Sequence, residues 1–83
     1  MSHEDMDDIS THLGRKWRHL GRKMGYTDGW LDSIDEDYRQ LVDKCYKLLS
    51  IWKDKMSDEA TVANITRLLM RVDAFDSVRN LNP

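Results

Sequence analysis

Leu13-Gly14-Arg15-Lys16-Trp17-Arg18-His19-Leu20-Gly21-Arg22 is the stretch that decides the fold. Leu13, Trp17 and Leu20 fall at steps of four and three, the spacing of one helical stripe. Ile9 extends that stripe upstream and Met24 extends it downstream. The positions between carry Arg15, Lys16, Arg18, Arg22 and Lys23, so an apolar side and a basic side share the same residues. Gly14 interrupts the pattern. Periodicity leaves one interrupted helix and two separate helices equally open. Gly25 is the expected stop, because glycine accepts the left-handed conformation that ends many helices.

Working toward the C-terminus, Thr27 reads as an N-cap, with Asp28 placed to favour the positive end of a helix. Leu31, Ile34 and Tyr38 give the next stripe. Leu41, Cys45, Leu48, Leu49 and Trp52 predict a longer amphipathic helix. Ser57 is a second candidate cap, followed by Asp58 and Glu59. Val62, Ile65, Leu68, Leu69 and Val72 form another stripe, and Asp73 is expected to cap a short last helix carrying Phe75, Val78 and Leu81. No segment alternates like a half-buried strand. The pattern predicts an all-α domain of about five or six short helices with short connections. Residues 1–8 read as an acidic N-terminal segment and residues 9–81 as the domain.

Bulk properties narrow the function. With 83 residues the chain makes one domain, and one of this size buries only roughly 60% of the surface exposed on unfolding. Its 40% apolar and 34% charged residues fit a folded module rather than a disordered one. Cys45 is the one cysteine, which rules out an intrachain disulfide and fits a reducing, cytoplasmic setting. No apolar run approaches the roughly 18 residues that span a bilayer, and Met1–Asp8 lacks the basic and apolar regions of a signal peptide. A net charge of −2 argues against a dedicated nucleic-acid binder. His3, His12 and His19 are too scattered for a structural zinc site beside one cysteine. Cys45 lies on an apolar stripe and reads as an inert buried thiol rather than a nucleophile. There is no Gly-rich phosphate loop, nucleophile elbow or zinc-protease motif. No catalytic, cofactor-binding or metal-binding residue is therefore expected.

The charges come in blocks. Residues 1–12 hold four acids and no Lys or Arg; residues 13–24 hold five bases and no acids; residues 27–37 hold five acids and no bases; residues 38–55 return to a net +3. Two readings are open. In one, they are solvated helix faces that attract one another within the fold. Equally, they are patches of opposite sign that meet across protein interfaces, where complementary charge steers encounter and unlike patches join head to tail.

The opening stretch resembles the death-domain pattern of apolar-Gly-x-x-Trp-Arg-x-Leu-small-Arg. Thr27-Asp28-Gly29-Trp30-Leu31-Asp32-Ser33-Ile34-Asp35 is similar to the family's third-helix pattern. Leu49-Ser50-Ile51-Trp52-Lys53 looks like the end of its fourth helix, and Ala60-Thr61-Val62-Ala63-Asn64-Ile65 with Leu69 looks like its fifth. Four motifs in order cover about residues 9–81. Within the family the likeness is greatest to an adaptor.

That resemblance implies a six-helix antiparallel Greek-key bundle, with Gly14 separating two helices. It implies homotypic assembly with other death domains, of receptors, kinases or adaptors, through asymmetric surface pairs. Such assembly would build an apoptotic or innate-immune complex upstream of caspase activation, with self-association in higher-order assemblies. Arg22 and Asp28 are then candidate partner-binding residues, with Arg15 and Arg18 on the same basic surface. Asp32, Asp35 and Glu36, spaced three or four apart on one side of a helix, make a candidate acidic patch. Lys53, Asp54 and Lys55 at one corner, and Arg71, Asp73 and Asp76 at another, are candidates for the two sides of a further interface. For Trp30 two readings stand level: an exposed anchor for a partner, or a ring folded over Tyr26 or Met24. The alternative function is a small helical DNA-binding domain whose segment 15–23 follows phosphates, although the acidic blocks on either side would repel DNA.

Overall fold

Ser2 starts the first helix. Its hydroxyl accepts the Asp5 amide at 3.2 Å while the Asp5 carboxylate accepts the Ser2 amide at 3.1 Å, a reciprocal capping box. The computed structural model describes residues 1–79 and 81; residue 80, inside the expected 9–81 span, lies outside the described residues. Helix α1 runs His3–Leu13, so Glu4, Asp5, Asp7 and Asp8 occupy its first two turns, where acids suit the helix N-terminus. Met6, on the same turns, is 2% exposed and joins the core.

Gly14 parts the first two helices. Its backbone sits at φ 58° and ψ −137°, a region essentially closed to residues with a Cβ. One 3₁₀ turn, Gly14–Lys16, follows, and then α2, Trp17–Lys23. Helix α2 ends in a Schellman motif: the Tyr26 amide donates to the Gly21 carbonyl and the Gly25 amide to the Arg22 carbonyl, both at 3.0 Å, with Gly25 at φ 98°. Thr27 caps α3, Asp28–Asp37, its hydroxyl accepting the Trp30 amide at 3.3 Å. Helix α4 is Leu41–Met56.

Two expected caps fall elsewhere. Ser57 ends α4 at φ 51° and opens a 3₁₀ turn, Ser57–Glu59. An N-cap needs extended backbone, and Thr61 has it (φ −101°, ψ 159°); its hydroxyl accepts the Asn64 amide at 3.1 Å and starts α5, Val62–Arg71. Asp73 does not cap the last helix with its side chain. At φ 56° it closes α5 in a second Schellman motif, with the Ala74 amide on the Leu69 carbonyl at 2.9 Å and its own amide on the Met70 carbonyl at 3.1 Å. Helix α6, Phe75–Val78, follows Ala74 without a side-chain cap.

Among the described residues the domain is all-α, a six-helix bundle. Neighbours in space are not always neighbours in sequence: α1 packs on α4 and α6, and α2 touches α4 and α5 as well as α3, the interleaving of a Greek key. Ile9, Leu20, Leu31, Leu48, Leu49, Ile65 and Leu69 have no exposed surface, and Trp17 and Trp52 close the core around them. Helices α2 and α3 approach as nearly as glycine allows: a Cβ on Gly21 would fall 2.5 Å from a methyl of the buried Leu31.

Three stripe residues depart from expectation. Leu41 is 38% exposed and Phe75 53% exposed, and the half-buried Val62 does not pack against the core as Met24, Tyr38 and Leu68 do. Each is the first residue of its helix. A terminal position lacks a preceding turn, so periodicity says little about what covers it. Leu81 lies beyond the end of α6 but still packs on the core.

Candidate interaction surface

The basic block on α2 meets the acidic block on α3. Arg22 Nε donates to Asp28 Oδ1 at 2.7 Å. Arg18 donates to Asp32 and lies 3.6 Å from Asp35, which in turn accepts from Lys44 on α4. The hydrogen bond to Asp32 strengthens the charged state of Arg18, and that from Lys44 holds the Asp35 carboxyl below its usual range. Part of the charge patterning is therefore satisfied inside the chain.

This pairing is cheap to exchange. The Arg22 and Asp28 side chains are 52% and 66% exposed, and exposed ion pairs contribute about 0–1 kcal/mol. A partner offering better-buried charges would displace them at little cost. Arg18 is more enclosed, its guanidinium 5.4 Å from the Trp17 ring centre.

Trp30 folds inward enough to stack on Tyr26, with ring centres 4.1 Å apart and planes 12° from parallel. It packs against the core while remaining half-exposed. Lys55 reaches the same platform, its ammonium 5.2 Å over the Tyr26 ring. The end of α4 is thus joined to the α2–α3 turn, a link with no signal in local sequence. Lys53 is half-buried, and Asp54 and Glu36 are exposed on their helices. Arg15 is exposed on the turn after Gly14.

At the last corner, the Asp73 carbonyl accepts Lys16 Nζ at 2.7 Å, tying the turn before α2 to the turn before α6. Asp76 lies 3.7 Å from Arg79, and Arg71 is exposed at the end of α5. The candidates therefore fall into groups. Arg18, Arg22, Asp28, Asp32 and Asp35 share one α2–α3 surface; Lys55 joins Trp30 through Tyr26; Asp73 joins Lys16. Among the described residues, no hydrogen bond or ion pair links Arg15, Glu36, Lys53, Asp54 or Arg71 to these groups. Sequence reasoning passed over Lys16, Lys44 and the exposed Phe75. Only the basic block points to the first, and periodicity assigns Phe75 to an inward stripe.

Cys45 is fully buried, its thiol facing the Gly14 carbonyl at 3.7 Å, and desolvation pushes it up to about 12. Among the described residues no cluster of three His, Cys, Asp or Glu side chains is placed to hold a metal, and no helix is long and apolar enough to cross a membrane.

A family model described as Death domain matches residues 3–83. The chain belongs to the death-domain family. Its relatives include human receptor-interacting serine/threonine-protein kinase 1, 30% identical over 98% of this chain and 12% of that protein. They also include human FAS-associated death domain protein, 36% identical over 74% of this chain and 30% of that protein. The Fas-associated death domain protein of Drosophila pseudoobscura pseudoobscura is 40% identical over 77% of this chain and 25% of its own length. The chain thus spans between about a tenth and a third of the length of these relatives. Family membership explains the opening motif physically. Gly14 supplies the break, Trp17 and Leu20 the core, and Gly21 the close approach of this death domain's second and third helices.

Proposed function

We propose that this death domain is a non-catalytic adaptor module that joins other death domains, of a receptor, a kinase or another adaptor, into a cytoplasmic signalling complex. The complex would act upstream of caspase activation, in apoptosis or innate immunity. The observation that carries the reading is the solvent-exposed Arg22–Asp28 pair on α2 and α3, in a chain whose relatives include proteins named for their association with FAS. Side chains already held in place by a weak internal pair are preorganised for a complementary surface. Arg18, Asp32 and Asp35 extend that surface, and Trp30 with Lys55 flanks it.

Binding of the wild-type chain and of Arg22→Glu to immobilised death domains from a receptor, a kinase and an adaptor tests this. Circular dichroism first establishes that both are folded. The wild type should bind at least one of the three, more weakly as salt rises, and Arg22→Glu should lose that binding. A folded Arg22→Glu chain that binds as well as the wild type would remove this surface from consideration.

A further inference from the structure

A groove opens where the ends of α2 and α4 meet α5, and neither Arg22 nor Asp28 lines it. Its volume is about 390 Å³, toward the small end of the range that holds small molecules. Met24, Met56 and Leu68, all half-buried, give it an apolar floor beside the buried Trp52. Methionine is unbranched and polarizable, so this floor can adapt to an aliphatic chain.

Lys23, Arg67 and Arg71 form an exposed basic rim. Among the described residues none of these three cations lies within ion-pair distance of a carboxylate, although Arg18, Arg22 and Lys44 all do. Glu59 borders the same groove, and Asn64 stands between it and the rim. The Asn64 side-chain amide donates to the Glu59 carbonyl at 2.7 Å and to the Glu59 carboxylate at 3.4 Å. Its oxygen accepts Arg67 Nη1 at 3.1 Å. A neutral amide therefore holds Arg67 in place without cancelling its charge.

Helix ends account for part of the rim. Lys23 ends α2 and Arg71 ends α5, where a cation suits the negative pole. Arg67 has no such reason. It stands one turn before Arg71 in α5, a spacing at which like charges repel. An anion beside both relieves that repulsion. An inorganic anion would leave the floor uncovered, and a neutral apolar molecule would leave the rim unpaired. A flat bilayer surface would not fill a concave site. What matches floor and rim together is one molecule with an anionic head and an aliphatic tail.

We propose that the α2–α4–α5 groove binds a free single-chain anionic amphiphile of the fatty-acid class. Arg67 and Arg71 hold its carboxylate through charge-assisted hydrogen bonds, and Lys23 adds a point charge from α2. The chain lies on Met24, Met56 and Leu68. The site needs no partner protein and no residue of the Arg22 surface, so it stands or falls independently of the adaptor reading.

Titration of the isotopically labelled full chain with octanoate, kept below its micelle concentration, tests the proposal through amide and indole chemical shifts. The shifts should saturate and gather at Met24, Met56, Leu68 and Trp52 rather than at Trp30. Acetate lacks the chain and octan-1-ol lacks the charge, so each should bind at least about tenfold more weakly. Arg67→Gln/Arg71→Gln, at exposed positions, should weaken octanoate binding on the order of tenfold or more. Lys23→Gln, on another helix, should weaken it as well and serves where the double variant does not fold. The proposal is overturned by octanoate shifts that do not saturate below the micelle concentration or that gather elsewhere. It is equally overturned by acetate or octan-1-ol binding as well as octanoate, or by folded variants that bind octanoate unchanged.

Discussion

At the scale of single residues, backbone angle matters as much as side chain. Gly14 has open space where a Cβ would be, so its glycine is required by conformation and not by crowding. Gly14→Ala should therefore cost about 1–3 kcal/mol without perturbing the core, read as a lower urea midpoint with an unchanged slope. Cys45 illustrates burial acting on chemistry. Its ordinary value of 9.0 is raised to about 12, so the folded chain holds the neutral thiol. The resulting stability is fully present below about pH 9 and is lost as pH rises toward the folded value. At neutral pH a thiol-directed reagent should label Cys45 only as fast as the domain opens, and rapidly in urea. Prompt labelling of the folded chain would contradict the complete burial of Cys45.

At the scale of elements, caps decide where helices begin. Thr61→Ala should destabilise the domain by about 1 kcal/mol, because it removes the acceptor for the Asn64 amide. Ser57 was the cap expected from sequence, yet it holds φ 51° and ψ −116°. Ser57→Gly should raise the melting temperature by relieving that strain, whereas loss of a true cap would lower it. Thermal unfolding of the two variants side by side separates the assignments. The reason for the misplacement is local. Ser57, Asp58 and Glu59 make a plausible first turn by composition, but the chain spends them on a 3₁₀ turn that reorients it from α4 to α5.

At the scale of the whole molecule, the charge blocks act as weak ties between helices. Asp35 receives Lys44 from α4 and faces Arg18 from α2, so one carboxylate joins three helices. Its folded value lies below the unfolded one, mainly through the Lys44 hydrogen bond. Its stabilisation is thus present above the unfolded carboxylate value and is lost as pH falls through the folded one. Lys44→Met should flatten the acid side of a stability-versus-pH curve slightly, and high salt should flatten it in the wild type as well. A large effect is not expected, because these groups are exposed to solvent and screened.

By itself the sequence determined the all-α class, the stripes that became α2 to α5, the Gly25 stop and the Thr27 cap, since these follow from periodicity and local backbone chemistry. The death-domain motifs were legible because Trp17 and Leu20 share one helical stripe and glycines punctuate it, both local patterns; the contact of Gly21 with Leu31 on α3 is tertiary. The capping box at Ser2 passed unread because Asp5 stands where a longer acid is usual, so α1 began six residues before the stripe suggested. Only the tertiary structure decided which charges face one another. Arg22 meets Asp28 across a turn, Arg18 meets Asp32 across two helices, and Lys55 reaches Tyr26 from a distant helix end. Tertiary structure also decided that Leu41 and Phe75 stay at the surface. Helical periodicity reports which side of a helix a residue occupies. What covers that side depends on how far the neighbouring helices extend, and only the packed bundle sets that.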